Sequence, residues 1–115
     1  MSRAAGSGGA LRRRQHAATF AALGDETRLS LVSELAGGAP RSIAQLTDGA
    51  RMSRQAISKH LRVLEHAGIV RSSRSGRENL FEFNPAPVQE LRSYLERVSA
   101  QWDEVLGRLK SFVER

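Results

Sequence analysis

The stretch "MSRQAISKHLRVLEHAGIV", residues 52–70, interleaves serine, glutamine, lysine and arginine with apolar residues at helical spacing. Ile57, Leu61 and Leu64 recur at i, i+4 and i+7, the period of one buried α-helical face. With Ile57 at 0° and about 100° per residue, that stripe centres near 10°, and Gln55, Ser58, Lys59, Arg62 and His66 fall between about 100° and 200°. The polar side is therefore opposite the core. Its side chains suit base edges in a DNA major groove: glutamine for adenine N6/N7, arginine or lysine for guanine O6/N7, serine for base or phosphate. Arg54 sits on the flank near the helix N-terminus, where backbone phosphate is the better partner. Any solvated helix face is polar, so this face decides nothing alone.

Its charge context does more. The 115-residue chain carries a net charge of +6, a length that suits one domain and a sign that suits polyanions. Residues 51–77 contain seven basic side chains and a single acid, Glu65, and the rest of the chain is balanced. So local an excess points to a binding surface rather than to general solubility.

Several chemistries drop out. There is no cysteine, which excludes disulfides, thiolate metal sites and thiol redox sensing. The opening "MSRAAGSGGALRRRQH" has no signal-peptide core, and no run approaches the ~18 apolar residues of a membrane span, so a soluble, cytoplasmic protein is expected. Residues 1–10, small and Gly/Ser-rich, read as a disordered tail ahead of one domain over 11–115.

The elements that must position the opening segment read as follows. A first helix spans 11–23, with Leu11, Ala17, Phe20, Ala21 and Leu23 on its apolar side and Gly24 as a left-handed stop. Asp25 caps a second helix whose inward residues are Leu29, Val32, Leu35 and Ala36, ending at Gly37-Gly38. "SIAQL" opens a short third helix with a Ser42/Gln45 capping box, ending near Asp48-Gly49. Ser53 caps the fourth, at 53–67, and the short pair with its tight turn is a helix-turn-helix. Past Gly68 the period changes, and 69–84 reads as a β-hairpin turning around Ser75-Gly76, with Phe81 and Phe83 on one side. Pro85 and Pro87 break the chain before the last element. There Leu91, Leu95, Val98, Trp102, Val105, Leu109 and Phe112 step alternately by four and three, the seam of a long helix packing along another. A mainly α fold with a β-hairpin follows, in the order α-α-α-α-β-β-α. The surplus apolar seam should meet a partner subunit, with Phe20 contributing.

This order, with "SRQAISKHLRVLEHAGIV", the basic hairpin "RSSRSGRENLFEFN" and the terminal helix, resembles the ArsR/SmtB family of bacterial winged helix-turn-helix repressors. "FAALGDETRLSLVSEL" is similar to that family's opening helices, and the likeness runs from about residue 17 to the C-terminus. The resemblance implies a homodimeric repressor, joined through its first and last helices, that places the fourth helix in the major groove of double-stranded DNA and the wing on flanking DNA. The implied contacts are Ser53, Arg54, Gln55, Ser58, Lys59 and Arg62, with Arg74, Ser75 and Arg77 in the wing.

The sequence departs from family members that sense metals. "SIAQLTDGA" stands where those members carry cysteines, and residues 88–114 contain no histidine. His16, His60 and His66 form no i, i+3 or i, i+4 pair, and His60 reads as a half-buried residue hydrogen-bonded near the turn. The remaining route, His16 of one subunit beside Asp103 or Glu104 of the other, is more simply read as surface charge. No metal or cofactor is expected, and the effector stays open between a small organic ligand at the dimer interface, a partner protein, or none. An enzyme is disfavoured because Asp103 and Glu104 lie on an amphipathic helix without nucleophile or phosphate loop. A winged-helix module binding an acidic protein is the alternative, although basic hairpin and basic helix together fit a nucleic acid better. RNA is disfavoured because Phe81 and Phe83 belong to the core, leaving no stacking platform.

Overall fold

The computed structural model describes the backbone of residues 2–114 and the side chains of residues 8–114. At its centre is α4, Arg54–His66, whose Ile57, Leu61 and Leu64 are only 2%, 1% and 0% exposed. Burying each such side chain stabilises the fold by roughly 1.5–3 kcal/mol. Around the stripe pack Leu31 and Leu35 of α2 (Glu26–Ala36), Leu46 of α3 (Ile43–Thr47) and Ala22 of α1 (Ser2–Leu23). Ile69, Val70 and Phe81 close the core from the sheet side.

Two residue sets fall differently from expectation. In α2 the buried leucine is Leu31, four residues before Leu35, and Leu29 is 50% exposed. Ala36 is also exposed, because the face set by Leu31 and Leu35 turns it outward. Among the described side chains of α1 the buried ones are Thr19 and Ala22, while Leu11, Ala17, Phe20 and Ala21 face solvent and Leu23 is half-buried. The α1 backbone is helical from Ser2 instead of residue 11, so it covers the stretch expected as a tail, save Met1, which lies outside the described residues. Gly24 is not left-handed: the chain tightens there through Gly24 N–H to the Ala21 carbonyl at 3.2 Å. A Cβ at Gly24 would come within 3.3 Å of the Phe20 carbonyl, so close approach is what glycine provides.

The caps explain how α3 and α4 meet. Ser42 Oγ accepts from Gln45 N–H at 3.2 Å and Gln45 Oε1 accepts from Ser42 N–H at 2.9 Å, a complete capping box. Gly49, with φ +76°, turns the chain toward Ser53, which caps α4 by accepting from Ala56 N–H at 3.2 Å. At the far end Ile69 N–H reaches the Leu64 carbonyl and Gly68 N–H the Glu65 carbonyl, both at 2.9 Å. With Gly68 at φ +77°, this is a Schellman stop, and it aims the chain from α4 straight into the sheet.

The sheet has three antiparallel strands in the order β1-β3-β2: β1 Arg41–Ser42, β2 Val70–Ser75 and β3 Glu78–Phe83. The two-residue β1 was not legible in the sequence; it pairs Arg41 with Phe81 and Ser42 with Leu80. Val70 pairs with Phe83 at the hairpin root and Ser75 with Glu78 at its tip, so the connecting residues are Gly76 and Arg77, one position beyond the expected turn. Gly76 at φ +62°, followed by Arg77 without positive φ, fits a type II′ connection.

α5, Ala86–Val113, starts before Pro87 and accommodates it in the first turn, where the missing N–H costs no helical bond. Asn84 holds the junction, donating from Nδ2 to the Gly68 carbonyl at 2.9 Å and from its N–H to the Ile69 carbonyl at 2.8 Å. Twenty-eight residues give α5 about 42 Å of length. Only Leu91 in it is buried, and the Cα radius of gyration is 19.0 Å against about 13 Å for a compact chain of this size. The distal helix therefore projects from the body.

Leu64→Ala should cost about 2–5 kcal/mol, because a fully enclosed site cannot collapse around the void. Urea unfolding that shifts by less than ~1 kcal/mol would contradict the central place given to this stripe.

Candidate nucleic-acid interface

The outer face of α4 gathers the side chains expected there. Arg54, Gln55, Lys59 and Arg62 are exposed and Ser58 is half-buried, all on one side of the helix. Ser53 precedes that face, its oxygen engaged as the cap of α4. In the wing Arg74, Ser75 and Arg77 are exposed at the tip, with Arg74 Nε 3.5 Å from the Gly76 carbonyl.

Charge on this surface is mostly uncompensated. Arg71 meets Glu82 at 3.6 Å on the flank of the hairpin. Among the described residues, Arg54, Lys59, Arg62, Arg74 and Arg77 have no carboxylate within ion-pair distance. Glu65, the one acid of the basic stretch, accepts from Ser72 Oγ at 2.6 Å and so ties the end of α4 to the wing. That bond helps hold the hairpin against the helix and engages the Glu65 carboxylate.

A second network behind α4 escaped the sequence reading. Arg28 Nε donates to the Ala22 carbonyl at 2.6 Å and Nη2 to the Ala21 carbonyl at 3.2 Å, the last turn of α1. Its Nη1 lies 3.4 Å from His60 Nδ1 on α4. One guanidinium thus joins α1, α2 and α4. A cation in the first turn of α2 opposes the helix dipole, and that misplacement was the available signal that Arg28 serves another element. Asp25 Oδ2 accepts from Arg28 N–H at 3.0 Å and lies 3.8 Å from His60 Nδ1. That backbone hydrogen bond, aided by the nearby charges of Arg28 and His60 and opposed by partial desolvation, lowers the Asp25 pKa below the ordinary carboxylate value.

The expected subunit-contact residues lie along one side of α5 and on α1. Leu95, Trp102, Val105, Leu109, Phe112 and Phe20 are exposed and Val98 is half-buried, whereas Leu91 is already buried within the single chain. His16 stacks on Tyr94 with ring centroids 4.8 Å apart, linking α1 to α5. Glu104 pairs with Arg108 at 3.2 Å on the solvated side of α5.

Residues 23–73 match a family model described as a helix-turn-helix domain. The HTH-type transcriptional regulator YuzN of Bacillus subtilis is 40% identical over 80 residues, covering 64% of this chain and 87% of YuzN. The chain belongs to the ArsR-like winged helix-turn-helix regulators. A structure described as an ArsR-like transcriptional regulator from Rhodococcus sp. RHA1 superposes with a TM-score of 0.76 at 39% identity, covering 87% of this chain and 93% of that one. The HTH-type transcriptional regulator Rv2034 of Mycobacterium tuberculosis is 36% identical over 76 residues, covering 66% of this chain and 70% of that protein. This ArsR-like chain is accordingly a DNA-binding transcriptional regulator and not an enzyme. Among its described residues no helix is long and apolar enough to cross a membrane.

The lowered Asp25 pKa carries a pH dependence of definite sign. A carboxylate whose folded pKa is depressed stabilises the native state above its unfolded value, near 3.9, and that contribution vanishes as pH falls through the folded value. Asp25→Ala should melt at a lower temperature than the unmutated chain at pH 7, and the gap should narrow as pH drops from about 5 toward 3. Thermal melts showing a gap that widens on acidification would refute this reading.

Proposed function

We propose that this regulator is a homodimeric repressor that binds an inverted-repeat operator, α4 reading bases and the wing holding flanking phosphates. In this reading Gln55, Ser58, Lys59 and Arg62 face the major groove and Ser53 and Arg54 meet backbone phosphate at its edge. Arg74, Ser75 and Arg77 grip the neighbouring backbone. Dimerisation joins Phe20 of α1 and the α5 seam Leu95, Val98, Trp102, Val105, Leu109 and Phe112, with Leu91 anchoring that seam from within each subunit. A two-fold through these helices would set the two α4 copies about one DNA turn apart, roughly 34–36 Å.

The observation that carries the dimer is the bare α5 seam. Trp102 is 61% and Phe112 72% exposed on a helix that projects from the body. Contiguous apolar surface of this kind marks an association face. The repressor part follows the ArsR resemblance.

Equilibrium sedimentation should give a dimer at micromolar concentration, and Trp102→Asp should give monomer. A monomeric unmutated chain would sink the dimer and the inverted repeat with it. Selection from random duplex DNA should recover a two-fold symmetric site, which an acidic-protein binder would not yield.

On that selected duplex, Arg62→Ala or Gln55→Ala should cost on the order of 1–3 kcal/mol and far less on random DNA. Arg74→Ala and Arg77→Ala should weaken both duplexes alike and each lower the salt slope by roughly one unit. Fluorescence anisotropy at several salt concentrations separates the two patterns; an Arg62→Ala chain that keeps full affinity for the selected site would overturn the base-reading role.

A further inference from the structure

Beside the DNA-facing side of α4, an open groove of about 610 Å3 runs between α4 and α1. That volume is in the range of small-molecule sites, roughly 300–1,000 Å3. Ala18, Ala21 and Ala22 of α1 and Val63 of α4 give it an apolar lining. Arg28, Arg62 and His66 stand at its margins, and no carboxylate lines it. Neighbouring grooves differ, each including an acid: Glu90 beside His16, Glu96 along α5, Asp48 beyond α3. We propose, resting on the DNA-binding reading above, that the α1–α4 groove is an effector site for an amphipathic organic anion, a carboxylate with an apolar body.

The chemistry follows from the lining. Val63 is 42% exposed although it is a β-branched apolar residue, so an apolar body laid over it removes surface from water. Arg28 has five N–H donors, and its bonds to Ala22, Ala21 and His60 leave some unengaged. Among the described residues neither Arg28 nor Arg62 has a carboxylate within ion-pair distance. A carboxylate that reaches either guanidinium gains charge-assisted hydrogen bonds that a neutral analogue cannot make.

The position couples the site to DNA. On the α4 wheel Val63 lies near 240°, adjoining the DNA face at about 100° to 200°. Arg62 and His66 border both surfaces, so an anion that holds Arg62 withdraws it from DNA. On α1, Ala18 and Ala21 are turned by about 160° and 100° from Phe20. The groove and Phe20 therefore lie on different sides of α1. Occupation of groove and operator oppose each other, and linkage makes the opposition reciprocal.

Octanoate is a suitable probe, with octanamide as its uncharged counterpart, titrated into the full chain while backbone amide resonances are followed. The expected result is saturable binding with shifts centred on Ala18, Ala21, Val63 and Ala67, and at least tenfold weaker binding of the amide. Saturating octanoate should weaken binding to the selected duplex at least fivefold. Ala21→Trp, which fills the groove, should abolish both effects and keep DNA affinity within twofold. Equal binding of octanamide, shifts along α5 instead, or unchanged DNA affinity at saturation would each overturn the proposal. The shift map involves no DNA, so a chain that binds octanoate as described yet selects no duplex would sink the operator reading and spare the site.

Discussion

Everything in this regulator depends on α4 having two incompatible sides. Ile57, Leu61 and Leu64 must leave water, and the residues half a turn away must stay in it with their charges unpaired. A helix with that division cannot float; it needs a core on one side that fixes its rotation. Leucines from α2, Leu46 of α3 and the root of the sheet supply that core, and a rotation of even one residue would drive Lys59 or Arg62 toward it. The burial stripe thus determines which side chains face outward, and the proposed DNA-reading face takes its geometry from the packing of leucines.

The remaining interactions hold α4 at its two ends and its back. Ser53 and the Schellman stop at Gly68 define where it begins and ends. Ser72 and Glu65 tie it to the wing, and Arg28 ties it to α1. These are directional bonds placed where apolar packing gives little angular control. They matter for the proposed function because they hold the helix, the wing and α1 as one unit.

Much of this was written in local sequence. Caps are local chemistry, so Ser42/Gln45, Ser53 and the Gly68 stop could be read from spacing, and the α4 stripe and α5 seam are strong periodic signals. The ambiguous places are those where composition is consistent with two faces. In α2, Leu29, Leu31 and Val32 crowd together, and only tertiary packing selects Leu31 over Leu29. Two-residue β1 has no period to detect, since its existence depends on β3 lying alongside. Arg28 left only an indirect sign, a cation in the first turn of a helix: its acceptors are backbone carbonyls six and seven residues back on another helix, and its histidine neighbour is 32 residues ahead. The polar face of α4 was legible because that helix is regular; the groove between α1 and α4 was not, since alanines leave neither charge nor period to mark it.

The strand order β1-β3-β2 leaves β2 with one row of backbone amides and carbonyls facing no neighbour. Such an edge is a template on which another chain can add a strand, and two wings of like sequence are the nearest candidates for doing so. Arg71 and Arg74 stand along that edge and β2 beyond Val70 offers no buried apolar side chain, so a second wing would meet like charge without gaining hydrophobic cover. Whatever the wing binds, these side chains disfavour edge-to-edge association of two wings.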